Sequence, residues 1–149
     1  NKVNAEFTLF TLEKLDYKLP EHISVVYGNN FEKRKEMDIV INPSGTVSLE
    51  NALMGIPMVV VYKVSWLNAV IVRLLITVKY VAIVNIFAGR EIVPEFLQEN
   101  ATPEKIAGGV INMLQPEIYE KTKNELLKFR DILGKPGVSD RVAQNILGD

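Results

Sequence analysis

The sequence contains no cysteine, which excludes disulfides, thiolate metal sites and a cysteine nucleophile. Histidine is nearly absent as well: His22 stands alone, no base partner is suggested nearby, and it reads as a structural or exposed residue. Neither sign of charge is in excess, since 17 Lys and Arg face 18 Asp and Glu. No long run of one sign occurs, so composition gives no argument for nucleic acid as a partner, and the short "EKRKE" run reads as a solvated helix face. Long hydrophobic runs are missing too. The most apolar region, "GIPMVVVYKVSWLNAVIVRLLITVKYVAIVNIF", is broken by Lys63, Arg73 and Lys79 and never reaches the roughly 18 uninterrupted apolar residues of a spanning helix. The opening residues "NKVNAEFTLF" carry neither the apolar core of a signal peptide nor the basic amphipathic pattern of a transit peptide. They pass almost at once into a strand-like segment, which we read as a truncation.

The 149 residues have room for one domain with a sizeable core, or for a piece of a larger one. Five short runs are rich in β-branched residues and mostly apolar on both faces: "AEFTLFTL", "HISVVYG", "MDIVINP", "PMVVVYKV" and "KYVAIVNIF". Strands buried on both faces belong to parallel sheets covered by helices. Between them "FEKRKE", "SGTVSLENALMG" and "SWLNAVIVRLLI" have the length of crossovers or parts of them. After Phe87 the strand signal ends, and "EIVPEFLQEN", "TPEKIAGGVINMLQ", "PEIYEKTKNELLKFRDILG" and "SDRVAQNILGD" read as a helical tail. Thr102 before Pro103 makes a helix start, and Leu126, Phe129, Ile132 and Leu133 form an amphipathic face. The expected fold is α/β: a Rossmann-like parallel sheet with helices on both faces over residues 1–100, followed by a helical segment over 101–149 that packs on it.

In an open parallel sheet, ligands bind beyond the carboxyl ends of the strands, where helix N-termini point. If Ile39 to Ile41 is a strand and Val47 begins a helix, Ser44 sits at the N-cap and Gly45 and Thr46 open the first turn. Their free N–H groups would face an anion, and Gly45 has no side chain to hold a phosphate away. Glu50 shares a face with Thr46 and lies about 6 to 8 Å farther along the axis than the Ser-Gly-Thr amides. That is roughly the reach from a diphosphate to its ribose, whose hydroxyls a carboxylate can hold. The same stretch would serve equally as an ordinary cap and turn with Glu50 on a solvated face. In "VNIFAGREIVPEFLQEN", Asn85 falls at the expected end of a strand, followed by Gly89 and Arg90 and then a short helix carrying Gln98. Asn85 could read a base or sugar and Arg90 could neutralise phosphate, or each could be a turn, surface or helix-end residue.

Taken together, "SGTVSLENALMGIPMVVVYKVS", "YVAIVNIFAGREIVPEFLQENATPEKIA" and "LGKPGVSDRVAQNIL" resemble the C-terminal part of lipid A disaccharide synthase, a bacterial glycosyltransferase family of the GT-B type. The resemblance runs in the family's order from Asp38 to the C-terminus. The long combination of Asn85, Gly89, Arg90, Glu91, Pro94, Glu95, Leu97 and Gln98 is not a generic Rossmann pattern. It implies an inverting, metal-independent transfer of 2,3-diacylglucosamine from UDP to 2,3-diacylglucosamine 1-phosphate (lipid X) in lipid A biosynthesis, with no cofactor. Ser44, Gly45 and Thr46 would hold the diphosphate and Glu50 the ribose, while Asn85, Gly89, Arg90 and Gln98 would line the donor side of the cleft. Two family features are missing: a Gly-Ser-Arg phosphate loop before Phe7, and the N-terminal domain that supplies the general base and most of the acceptor site. No catalytic residue is therefore expected in this chain, which by itself should not catalyse the transfer.

Trp66, Leu67 and Arg73, on the apolar "SWLNAVIVRLL" segment, fit contact with acyl chains or with the cytoplasmic face of the bacterial inner membrane, or a helix simply packed on its sheet. Two other readings stay open. One is a different UDP-sugar GT-B glycosyltransferase or an epimerase domain. The other is a non-catalytic module, or a homo-oligomer, that docks through the helical tail.

Overall fold

β-branched runs alternating with short helix formers give the chain its order of elements. The computed structural model describes residues 4–28, 30–63, 79–133 and 137–147. They fall into two units, 1–38 and 39–149. The first holds β1 (Phe7–Thr11) and β2 (Ile23–Tyr27), paired in parallel with Phe7 opposite Ile23, and α1 (Phe31–Lys35). Asn30 caps α1 by accepting from the Lys33 N–H at 2.9 Å. The exposed pairs Lys33–Glu36 and Lys35–Glu32 make its outer face. His22 is exposed, its ring set edge-on to Phe7.

The second unit holds β3 (Val40–Pro43), α2 (Thr46–Met54), β4 (Met58–Tyr62), α3 (Ile83–Ala88), β5 (Glu95–Leu97), a 3-10 turn (Gln98–Asn100), α4 (Pro103–Met113), α5 (Pro116–Leu133) and α6 (Val138–Leu147). Its sheet is parallel in the order β3-β4-β5, with Asn42 opposite Val60 and Val60 opposite Glu95. Alternation along β4 divides the core. Met58 and Val60 are buried with Ala52 of α2, Val84 of α3, and Leu126 and Phe129 of α5. On the other face, α4 brings Gly109 against Val59 and Phe96. Helices thus cover both faces of a parallel sheet and continue as a helical tail, a Rossmann-like arrangement of the GT-B type.

Two expectations are corrected. The run "KYVAIVNIF" does not form a strand: Ile83–Ala88 is helical. Its β-branched residues favour a sheet, but the Glu95 carboxylate accepts from the N–H groups of Val81 and Ala82, each at 2.9 Å, and so holds the backbone that leads into a helix there. The segment after Phe87 is not wholly helical, because Glu95–Leu97 pairs with β4 as the third strand. By contrast, Thr102 caps α4 as expected, accepting from the Lys105 N–H, with Pro103 at the first position.

Gly109 tests the packing of α4 on the sheet. A Cβ there would meet Phe96 ring carbons at 2.7 Å. Gly109→Ala gains about 1 kcal/mol of helix propensity but forces the ring or the helix to move, which costs about 1 to 3 kcal/mol. We expect a net loss of about 1 kcal/mol in urea unfolding, against no loss at Gly108, where the space is open.

Candidate functional site

The three strands are parallel, so Ser44 after β3, Lys63 after β4 and Gln98 after β5 share one edge of the sheet. A strand spacing of about 4.8 Å puts the β3 and β5 ends about 10 Å apart, with β4 between them. The helix cap lies one residue later than the sequence suggests. Gly45 is the N-cap of α2, with φ 144° and ψ −162°, a conformation open essentially to glycine alone. No side chain caps this helix and no acidic residue occupies its first turn. Of the other described starts, α1 is capped by Asn30 and α4 by Thr102, whereas α3 also lacks a side-chain cap, Glu95 accepting only from the N–H groups of its N-cap residue Ala82 and of Val81 before it. A helix start left without side-chain acceptors presents N–H groups and the positive end of its dipole to whatever approaches.

Ser44 sits beside this opening, but its hydroxyl donates to the Val81 carbonyl at 2.6 Å. What the turn can offer an anion is therefore backbone N–H and the exposed Thr46. Ser48, fully buried, donates to the Gly45 carbonyl at 2.6 Å and fixes the turn from within the helix. Below it, buried Asn51 donates to Asn42 at 3.3 Å, and Asn42 donates to the Pro43 carbonyl at 2.8 Å, which ties the end of β3 to α2. Glu50 is half-buried on α2, about 6 Å along the axis from Thr46. α2 then closes at Gly55 (φ 70°), with the Gly55 N–H on Ala52 and the Ile56 N–H on Asn51.

Asn85 is not at a strand end; it lies within α3, fully buried. Its amide nitrogen donates to the Val93 carbonyl and to Glu95, both at 2.8 Å. Its oxygen accepts from the Ile92 and Val93 N–H groups at 2.7 and 3.1 Å. Two donors and two acceptors exhaust a carboxamide. Asn85 thus holds the α3–β5 connection and has no bond left for a ligand.

Gly89 (φ 65°) ends α3, and Arg90 follows it, so both lie beyond the opposite end of that helix from Val81 and Ser44. The Arg90 guanidinium pairs with Glu125 of α5 along a groove of about 200 Å³ that Thr122 and Lys121 also line. Gln98 is the only described non-glycine residue with positive φ, 49°. A strained backbone at a strand's carboxyl end is where binding residues gather. The site therefore brings Ser44, Gly45, Thr46 and Gln98 to one edge with Glu50 a turn behind, and leaves Gly89 and Arg90 to the α5 side. Trp66, Leu67 and Arg73 lie outside the described residues. Among the described residues no helix is long and apolar enough to cross a membrane.

The Glu125 carboxyl is held below its ordinary value of 4.5, chiefly by the hydrogen bond from Arg90; burial opposes this, and the charges of Arg90, Lys128 and Lys121 assist. A lowered folded-state pKa contributes stability above the unfolded value, and that contribution disappears as pH falls through the folded one. Because Arg90 is 54% exposed, solvent screening limits it to about 0.5 kcal/mol. Arg90→Ala should be less stable than the parent at neutral pH, and the gap should close as pH drops below the carboxylate range in paired urea titrations.

Ser48, Asn51 and Asn42 are not singled out by the sequence, and Glu95 stands there only as part of the family combination, without a role of its own.

Residues 2–144 match the family model described as Lipid-A-disaccharide synthetase. The chain is 39% identical over 125 residues to the lipid-A-disaccharide synthase of Syntrophus aciditrophicus, covering 83% of this chain and 33% of that protein. It is 42% identical over 127 residues to that of Anaeromyxobacter dehalogenans, with 85% and 33% covered. For Geobacter metallireducens the identity is 44% over 111 residues, with 74% and 29% covered. The chain thus spans about a third of the length of the curated relatives it matches.

Proposed function

Because the chain belongs to the lipid-A-disaccharide synthetase family, we propose that it is the C-terminal, donor-binding part of a UDP-sugar glycosyltransferase, with the nucleotide at the carboxyl edge of β3-β4-β5. The observation that carries this reading is the start of α2: a glycine N-cap, no capping side chain, no first-turn acid, and a half-buried carboxylate one turn on. The N–H groups at Gly45 and Thr46 would hold the diphosphate, and Glu50 would accept from the ribose hydroxyls. Gln98 would close the donor side, and Asn85 would act through the connection it holds. A role for Arg90 at the cleft requires it to leave Glu125.

The reaction we assign to the whole protein is inverting transfer of 2,3-diacylglucosamine from UDP to 2,3-diacylglucosamine 1-phosphate, in lipid A biosynthesis at the cytoplasmic face of the inner membrane. The general base belongs to the part of the enzyme outside this chain. Here the chain's own contribution is to bind and orient the donor and to stabilise charge on the departing UDP through preorganised N–H groups. Trp66, Leu67 and Arg73 would face acyl chains or the membrane surface.

Steady-state transfer by the intact protein tests this. Glu50→Ala should raise KM for the UDP-linked donor by about 10- to 100-fold, as expected for losing hydrogen bonds to a charged group, with the acceptor KM unchanged. An unchanged donor KM in a folded variant contradicts the assignment.

A further inference from the structure

We infer that Glu95 is a positioning residue for the Ser44–Gly45–Thr46 turn, acting through the Val81–Ala82 backbone; the inference rests on the reading of that turn as the diphosphate site. The Val81 peptide groups are gripped from two directions. Ser44, at the end of β3, donates its hydroxyl to the Val81 carbonyl at 2.6 Å. Glu95, at the start of β5, accepts from the Val81 N–H with one oxygen and from the Ala82 N–H with the other, each at 2.9 Å. The second oxygen also accepts from the Asn85 amide at 2.8 Å, and Asn85 is itself anchored to Ile92 and Val93. Three donors thus converge on one carboxylate, and a continuous chain of hydrogen bonds links the two outer strands of the sheet across the intervening loop.

This arrangement needs a group that only accepts. Glutamine has nearly the same shape, but its amide nitrogen would meet one of the N–H donors. If the amide oxygen keeps Ala82 and Asn85, Val81 loses its partner. The Tyr80–Val81 peptide unit, whose N–H has lost its acceptor, then turns, the adjoining unit that carries the Val81 carbonyl shifts with it, the acceptor that orients Ser44 is displaced, and the Gly45 N-cap moves with it. Aspartate is one methylene shorter and cannot reach both N–H groups with the strand in place.

The test is a double-mutant cycle on the affinity of the intact protein for UDP, using Glu95→Gln, Ser44→Ala and the pair, with Glu50→Ala as a control for the site and melting temperatures recorded throughout. Each single change should weaken UDP binding by about tenfold, and the pair should be no weaker than the worse single variant, because both act through the Val81 backbone. A role confined to stability would lower the melting temperature of Glu95→Gln without that coupling. Effects that multiply, or unchanged UDP affinity in folded Glu95→Gln while Ser44→Ala and Glu50→Ala respond, overturn the inference alone. No response from any of the three removes the diphosphate site and the inference with it.

Discussion

Asn85→Leu should destabilise the fold by about 3 to 5 kcal/mol, a third or more of the stability of an ordinary domain. Leucine fills nearly the same volume, so the loss comes from polar groups left behind. The Ile92 and Val93 N–H groups, the Val93 carbonyl and one oxygen of Glu95 would all lose a partner at a site closed to solvent. Each unsatisfied buried group costs about 1 to 3 kcal/mol, reduced where water enters after local opening. Asn85→Asp is the informative companion: it keeps both acceptor bonds but sets a second carboxyl group against Glu95 and loses both donor bonds. Both variants should unfold at clearly lower urea, and hydrogen exchange at Ile92 and Val93 should accelerate first. If Asn85→Leu unfolds within about 1 kcal/mol of the parent, the amide is not the anchor described.

Gly55→Val should cost about 3 kcal/mol. Gly55 holds φ 70° where α2 turns into β4, a left-handed conformation that is unfavourable for any side chain and worst for a β-branched one. Space is closed as well, since a Cβ would sit 2.7 and 2.9 Å from Cδ2 and Cγ of Leu127 on α5. Leu127 is at the rim of the core and can swing aside, so the backbone contributes the larger share. Gly55→Asn, which tolerates the left-handed region, should lose less than Gly55→Val, and this ordering in urea unfolding separates strain from crowding. Equal losses would mean that contact with Leu127 dominates.

What the sequence disclosed follows from how local each cause is. β1 to β4 are short β-branched runs bounded by turn residues, and their apolar character on both faces already implied parallel strands with helices above and below, although only β4 is buried along most of its length. Thr102-Pro103 announced α4 by the same local logic. α3 was hidden because its residues have strand propensity and the group that holds the backbone leading into it, Glu95, is thirteen residues away from Ala82. β5 was hidden because three residues beginning with Glu95 carry no alternation to read. At the candidate site, the Ser-Gly-Thr turn was legible from composition and spacing. The partner of the Ser44 hydroxyl was not, because Val81 lies in a different crossover. The tail offers a further lesson: Leu126 and Phe129, which from sequence could serve either a core or a partner, are 0% and 1% exposed within this chain's own core.

The most direct measurement is amide chemical-shift mapping of UDP on the intact protein in metal-free buffer, with Glu50→Ala titrated alongside. The account predicts the largest shifts at Gly45 and Thr46, smaller ones at Gln98, and UDP affinity weakened by about tenfold or more in Glu50→Ala. UDP that binds without moving Gly45 and Thr46, or that binds Glu50→Ala as tightly as the parent, would contradict a nucleotide site at the carboxyl edge of this sheet.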